Sequence, residues 1–217
     1  MSHALAAKAG RYYAAKLREH GPTPRGVDWN DERSQRIRFE LLLELLAGSV
    51  EPFSLNDYGC GYGALLDSLA ERQSRFAYAG YDVSPEMIAE AQQRYAGEDR
   101  ARFTSDRAEL GQADFTVASG LFNVKQDAPE ETWLDYVLDT IDELVRLSSR
   151  GVAFNALTAH ADPERRRTDL FYADPAAMLD HCLRRYSRDV ALRHDYGLYE
   201  FTVIVHLDRR PPVAWSG

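Results

Sequence analysis

From residue 53 onward, short apolar runs alternate with stretches of helical periodicity. Runs such as "FTVAS" (115–119) and "GVAFNAL" (151–157) are bounded by turn or polar residues, the pattern of strands buried on both faces of a parallel sheet. The pattern predicts strands near 53–58, 77–82, 101–106, 113–119 and 151–157, and helices near 63–73, 84–96, 130–148 and 175–185. Strand alternating with helix implies right-handed crossovers and a parallel sheet. The segment "SRDVALRHDYGLYEFTVIVHLD" breaks the alternation: two β-rich runs flank Tyr196-Gly197, with no room for a helix between them. That predicts an antiparallel hairpin. The expected fold is α/β, a doubly wound, mainly parallel seven-stranded sheet ending in that hairpin.

Two helices are predicted before the first strand. Residues 4–20 are alanine-rich, with Leu5, Tyr12, Tyr13 and Leu17 available for one face. "HGPTPRGVDWN" breaks this helix. "NDERSQRIRFELLLELLAG" restarts it, with Asn30 or Asp31 as the cap and Gly48 as the stop. With no linker or repeat, the chain is expected to be one domain: a helical cap over residues 1–50, a core over 51–208 and a fraying tail over 209–217.

Composition narrows the class. The 217 residues suit one sizeable core, and 45% apolar with 28% charged residues is a soluble, globular balance. A net charge of −8 argues against nucleic acid as the main partner. Cys60 and Cys182 lie far apart, so there is no disulfide framework and no zinc spacing, and no metal site is expected. No apolar run suits a membrane span, and the first residues lack a signal-peptide core. A cytoplasmic location is therefore expected.

The chemistry begins at "FSLNDYGCGYGALLDSL". The turn Gly59-Cys60-Gly61-Tyr62-Gly63-Ala64 satisfies the G-x-G-x-x-A dinucleotide pattern, but Asp57 precedes it where the strand should be buried. A carboxylate there opposes an anionic pyrophosphate and is costly to bury alone. A cationic amino-acid ligand removes both objections, and S-adenosylmethionine (SAM) carries an α-ammonium and a sulfonium. Asp82 ends the second strand, where an acidic residue is placed to take both hydroxyls of a ribose. Ser84 caps a helix opening on Pro85, and Val83 and Met87 are placed to pack on an adenine. Asp106 ends the third strand, either as acceptor for the adenine amino group, with Arg107 beside it, or as a turn cap. Three acidic residues ending three consecutive strands would line the switch-point crevice of such a sheet.

"NDYGCGYG", "GYDVSPEMI", "SDRA" and "ADFTVASGLFNV" together resemble the four motifs of the class I SAM-dependent methyltransferases, from about Phe53 to Leu207. The chain further resembles an uncharacterised bacterial subgroup acting on small molecules. The resemblance implies SAM as cofactor and the N-terminal helices as a variable cap over the site.

Methyl transfer asks mainly for positioning and water exclusion, sometimes with proton removal. After strand four, Ser119-Gly120 permits close backbone approach to the cofactor. Asn123 either orients the acceptor or stabilises its loop. His160, after strand five, is either the candidate general base by residue type or an exposed loop histidine, and Tyr172 is placed to wall the acceptor pocket. Asn155, inside an apolar strand, must find a hydrogen-bond partner. In the cap, Arg38 is the candidate cation for the cofactor's α-carboxylate, or else a surface helix arginine. Trp29 and Tyr13 are placed to close over the sulfonium, with a helical core stripe as the other reading of Tyr13. The expected activity is methyl transfer to an O- or N-nucleophile of a small molecule, since a capped site is too enclosed for a macromolecule. Two alternatives stand: cyclisation or cleavage of SAM itself, releasing methylthioadenosine, and a non-catalytic SAM-binding domain. The oligomeric state is open.

Overall fold

The computed structural model describes residues 2–49 and 52–207; the expected tail, 209–217, lies outside them. Seven strands form one sheet: β1 (Phe53–Tyr58), β2 (Phe76–Tyr81), β3 (Ala101–Thr104), β4 (Ala113–Ala118), β5 (Ser148–Leu157), β6 (Asp189–Arg193) and β7 (Glu200–His206). Their spatial order is β3-β2-β1-β4-β5-β7-β6. The first five strands run parallel, and β7 inserts antiparallel between β5 and β6. The order reverses between β1 and β4, which opens a crevice at their carboxyl ends.

Among the described residues, six α-helices surround the sheet: α1 (Ser2–His20), α2 (Glu32–Leu42), α3 (Leu65–Arg72), α4 (Pro85–Arg94), α5 (Glu130–Arg146) and α6 (Pro175–Arg185). Local chemistry sets their starts. The Asp31 carboxylate accepts from Ser34 N at 2.7 Å and opens α2. Ser84 Oγ accepts from Met87 N at 3.3 Å, with Pro85 as the first residue of α4. Asp174 does the same for α6 through Ala176 N and Ala177 N. Along α5, Trp133, Tyr136, Val137, Thr140, Ile141 and Leu144 recur every three or four residues and are all buried. That stripe packs on one face of the sheet with Phe122, Phe154 and Phe201. The other face is covered by Leu42, Leu45, Leu65 and Leu69 of the cap and α3, packed on Leu55 and Phe115.

Two strand boundaries differ by two residues or more from the sequence reading. β3 stops at Thr104, because Asp106 caps a 3-10 turn over Arg107–Glu109 by accepting from Ala108 N at 2.9 Å. β5 starts at Ser148, where the Ser148 hydroxyl donates to Leu144 O at 2.8 Å and lies 2.7 Å from the Thr116 hydroxyl, holding the strand start against β4.

The cap positions the site. After α1, a 3-10 turn over Pro24–Val27 leads to Trp29 and α2. Helix α1 packs against α4 and α5, across the crevice. A Cβ on Gly10 would lie 2.6 Å from Val83 Cγ1, so a glycine is what lets the helix backbone settle on the loop after β2. Among the described residues, no helix is long and apolar enough to cross a membrane.

Candidate active site

A cavity of about 460 Å³ opens at the carboxyl ends of β1, β2 and β4, under α1. The glycine turn forms one wall. Gly59 N and Cys60 N both donate to Tyr81 O, at 2.7 and 2.9 Å, and draw the turn over the end of β2. Gly61 has a left-handed φ of +54°, and its N–H donates to Asp82 Oδ2 at 2.9 Å. Ser84 N donates to Asp82 Oδ1 at 2.9 Å. Asp82 thus braces the turn and the start of α4 while lining the cavity. Val83 and Met87 supply an apolar wall, and Tyr58 and Tyr81 meet edge to face at 4.9 Å. Arg107 lines the far end and forms an ion pair with Glu143, which also pairs with Arg146.

Asp57 sits behind the turn, 2% exposed. Its Oδ2 accepts from the Tyr78 hydroxyl at 2.6 Å. Its Oδ1 has no partner among the described residues, and neither has Ser119 Oγ. Both residues line a pocket of about 40 Å³ shared with Gly59, Cys60 and Gly61. Burial pushes the Asp57 carboxyl up to about 7, against the Tyr78 hydrogen bond and helped by the charge of Asp82. Burial likewise raises Asp82 to about 6, against its two backbone N–H bonds. Two unanswered buried acceptors beside an acidic pair fit a ligand that brings N–H donors and positive charge.

The pKa shifts set a pH dependence. An unfolded aspartate titrates near 3.9. Between about pH 4 and 7 the folded chain therefore holds protons that the unfolded chain has released, and stability falls as pH rises through that window. The ligand-free protein is expected to melt higher at pH 5 than at pH 8, and Asp57→Asn to flatten that difference. Equal slopes for the two proteins would remove Asp57 as its source.

A second pocket, about 630 Å³, shares Tyr13, Val27 and Trp29 with the first. Between them runs a closed chain of contacts. Arg38 donates through Nε and Nη2 to Glu200, at 2.7 and 2.5 Å. Glu200 accepts from Asn155 Nδ2 at 3.3 Å, and Asn155 Oδ1 accepts from Gly120 N at 2.6 Å. Gly120 has a φ of +68°, and a Cβ there would lie 2.8 Å from the Trp29 ring. Trp29 closes the loop by carrying the Arg38 guanidinium 4.0 Å above its ring.

The structure brings Tyr13, Trp29, Gly59, Gly61, Asp82, Val83, Met87, Arg107, Ser119 and Gly120 to the first cavity. Cys60 and Asp57 line the small pocket behind it. Two of the cofactor candidates lie elsewhere. Asp106 is exposed and acts as a turn cap, two residues past the end of β3. Arg38 lines the second pocket, since Glu200 on β7 draws its guanidinium across the shared wall. Of the acceptor-site candidates, Asn123 and Tyr172 line the second pocket. Asn123 Oδ1 accepts from Leu157 N at 3.3 Å, and the Tyr172 hydroxyl accepts from Arg167 N at 3.0 Å. His160 is in neither wall; it is exposed, its ring 6.1 Å from that of His194. Sequence reasoning missed Glu200. Its signal was a carboxylate opening the apolar run "EFTVIV", the same anomaly that marked Asn155.

The family described as "Methyltransferase domain" matches residues 57–145, from the buried aspartate into α5. A candidate methyltransferase of Mycobacterium tuberculosis, Rv1506c, is 48% identical over 160 residues, which cover 74% of this chain and 96% of that protein. Among solved structures, the N-methyltransferase NodS from Bradyrhizobium japonicum, in complex with S-adenosylhomocysteine (SAH), superposes with a TM-score of 0.65 at 16% identity, over 93% of this chain and 99% of that one. Magnesium protoporphyrin IX methyltransferase from Synechocystis, with bound SAM, gives 0.63 at 15% identity, over 91% and 96%. The chain belongs to the class I SAM-dependent methyltransferases.

Proposed function

We propose that this methyltransferase acts on an O- or N-nucleophile of a small molecule held in the second pocket. The observation that carries this reading is the shared wall of Tyr13, Val27 and Trp29 between the two cavities. SAM, when bound, supplies a methyl group already activated by its sulfonium. Asp57 and the carbonyls of the glycine turn are the acceptors for its cationic amino-acid end. Asp82 is the acceptor for the ribose hydroxyls, with Val83 and Met87 against the adenine. Trp29 and Tyr13 present aromatic surface at the junction and exclude water there. Asn123 and Tyr172 orient the acceptor. With His160 outside the wall, acceleration rests on positioning and desolvation. The name of one protein of similar fold, magnesium protoporphyrin IX methyltransferase, agrees with a small acceptor, and that of another, an N-methyltransferase, with a nitrogen nucleophile.

The test is product analysis by mass spectrometry after incubation with SAM, alone and with panels of small amines, phenols and acids. SAH that forms only when an acceptor is present supports transfer. Methylthioadenosine released from SAM alone, above the non-enzymatic background, would replace transfer by self-consumption of SAM.

A further inference from the structure

We infer that the acceptor carries an anionic group, a carboxylate or an equivalent oxyanion, recognised in the second pocket by Arg38 and Arg165. The inference rests on the reading of that pocket as the acceptor site. Six charged side chains line it: Asp28, Arg38, Glu164, Arg165, Arg167 and Glu200. Formal charge cancels among them, so selectivity depends on which groups already have partners.

The acidic groups inside are engaged. Glu200, 3% exposed, uses both oxygens on Arg38 and Asn155. Asp28 accepts from the Tyr12 hydroxyl at 2.7 Å, pairs with Lys16 at 3.2 Å and faces Arg167 at 3.7 Å. Arg167 in turn is held by a two-pronged contact to Asp169, at 3.1 and 2.6 Å. Two basic groups keep donors in reserve. Arg38 Nη1 is buried and has no partner among the described residues, although Nε and Nη2 are fixed. The exposed Arg165 side chain makes no ion pair or hydrogen bond among the described residues, although its charge acts on the neighbouring Tyr199 hydroxyl. Glu164 is the one carboxylate of the six left without a partner among the described residues, and it is exposed.

A buried guanidinium nitrogen without an acceptor is costly, and an oxyanion answers it with a charge-assisted bond. Its geometry is preset, because the Glu200 fork and the Trp29 ring hold the guanidinium plane. A cationic acceptor would find the inner carboxylates occupied and the Arg38 guanidinium in the same lining. The aromatic groups Tyr13, Trp29, Tyr172 and Tyr199 around the same pocket suit a flat body behind the anion.

The probe is benzoate, a planar carboxylate, titrated calorimetrically against its neutral isostere benzamide, with and without saturating SAH. Saturable benzoate binding in the millimolar range, with none for benzamide, is expected. Arg165→Ala, at an exposed position that spares the fold, is expected to weaken benzoate about two- to fivefold and to leave SAH affinity unchanged. Equal heats for benzoate and benzamide, no benzoate binding, or full retention of benzoate affinity in Arg165→Ala would overturn the inference. A protein that takes benzoate but not SAH refutes the cofactor reading alone, so the two failures are distinguishable.

Discussion

Asp82→Ala is expected to reduce affinity for SAH about a hundredfold or more, and affinity for adenosine alongside it. The two backbone N–H bonds that Asp82 accepts, from Gly61 and Ser84, hold the glycine turn and the first turn of α4 at one fixed separation. Removing the carboxylate therefore does two things. It deletes the acceptor proposed for the ribose hydroxyls, and it leaves two N–H groups in a part-buried site without an acceptor. A hydrogen bond to a charged group contributes about 1.5–3 kcal/mol, and each 1.4 kcal/mol is tenfold in affinity. Loss of one ribose contact with partial loosening of the turn gives about 3 kcal/mol. Asp82→Asn separates the two effects, since the amide oxygen still accepts one N–H while the charge is gone; its loss should be smaller. Calorimetry with SAH and adenosine reads both. A variant that loses SAH but keeps adenosine would move Asp82 away from the ribose.

How far the sequence carried the reading depended on whether a residue's partners were local. The strands, the helices and the hairpin were legible because their signals lie within ten residues: apolar runs, the Ser84-Pro85 cap, the Tyr196-Gly197 turn. The fourteen cofactor candidates sorted by the same rule. Asp82, Val83, Gly59 and Gly61 reach the cavity because the end of a strand fixes them directly. Asp106 does not: two residues past the end of β3, it caps a turn. Arg38 stands in the sequence as either the cation of a cofactor carboxylate, since neither the glycine turn nor the sheet edge offers one, or a surface helix arginine. Its partner is Glu200, 162 residues away, and only the antiparallel insertion of β7 beside β5 brings them together. His160 was open between a base by residue type and an exposed loop side chain; it is exposed and lines neither pocket, because residue type alone does not place a side chain in a wall.

That long-range pair carries the largest stability prediction. Glu200→Ala leaves the Arg38 guanidinium, whose side chain is 12% exposed, without its carboxylate. Breaking one side of a buried ion pair costs about 3–5 kcal/mol, a large part of the roughly 5–15 kcal/mol that holds a domain folded. The damage also travels. Asn155 Nδ2 loses its acceptor, and Asn155 is what fixes Gly120 N at the junction of the two pockets. The double variant Arg38→Met/Glu200→Gln removes the charge pair as a unit and fills the space with a side chain of similar reach, so it is expected to recover most of the lost stability. Urea denaturation of the wild type, Arg38→Met, Glu200→Gln and the double variant yields the coupling energy, with Glu200→Ala measured beside them. A Glu200→Ala protein within about 0.5 kcal/mol of the wild type, the range of an ordinary surface substitution, would mean that solvent screens the pair. The closed contact between cap, hairpin and the loop after β4 would then not be what holds the partition between the pockets. Recovery in the double variant without recovery of activity toward an acceptor would separate the two roles of Arg38: the pair for folding, and the free Nη1 for the substrate.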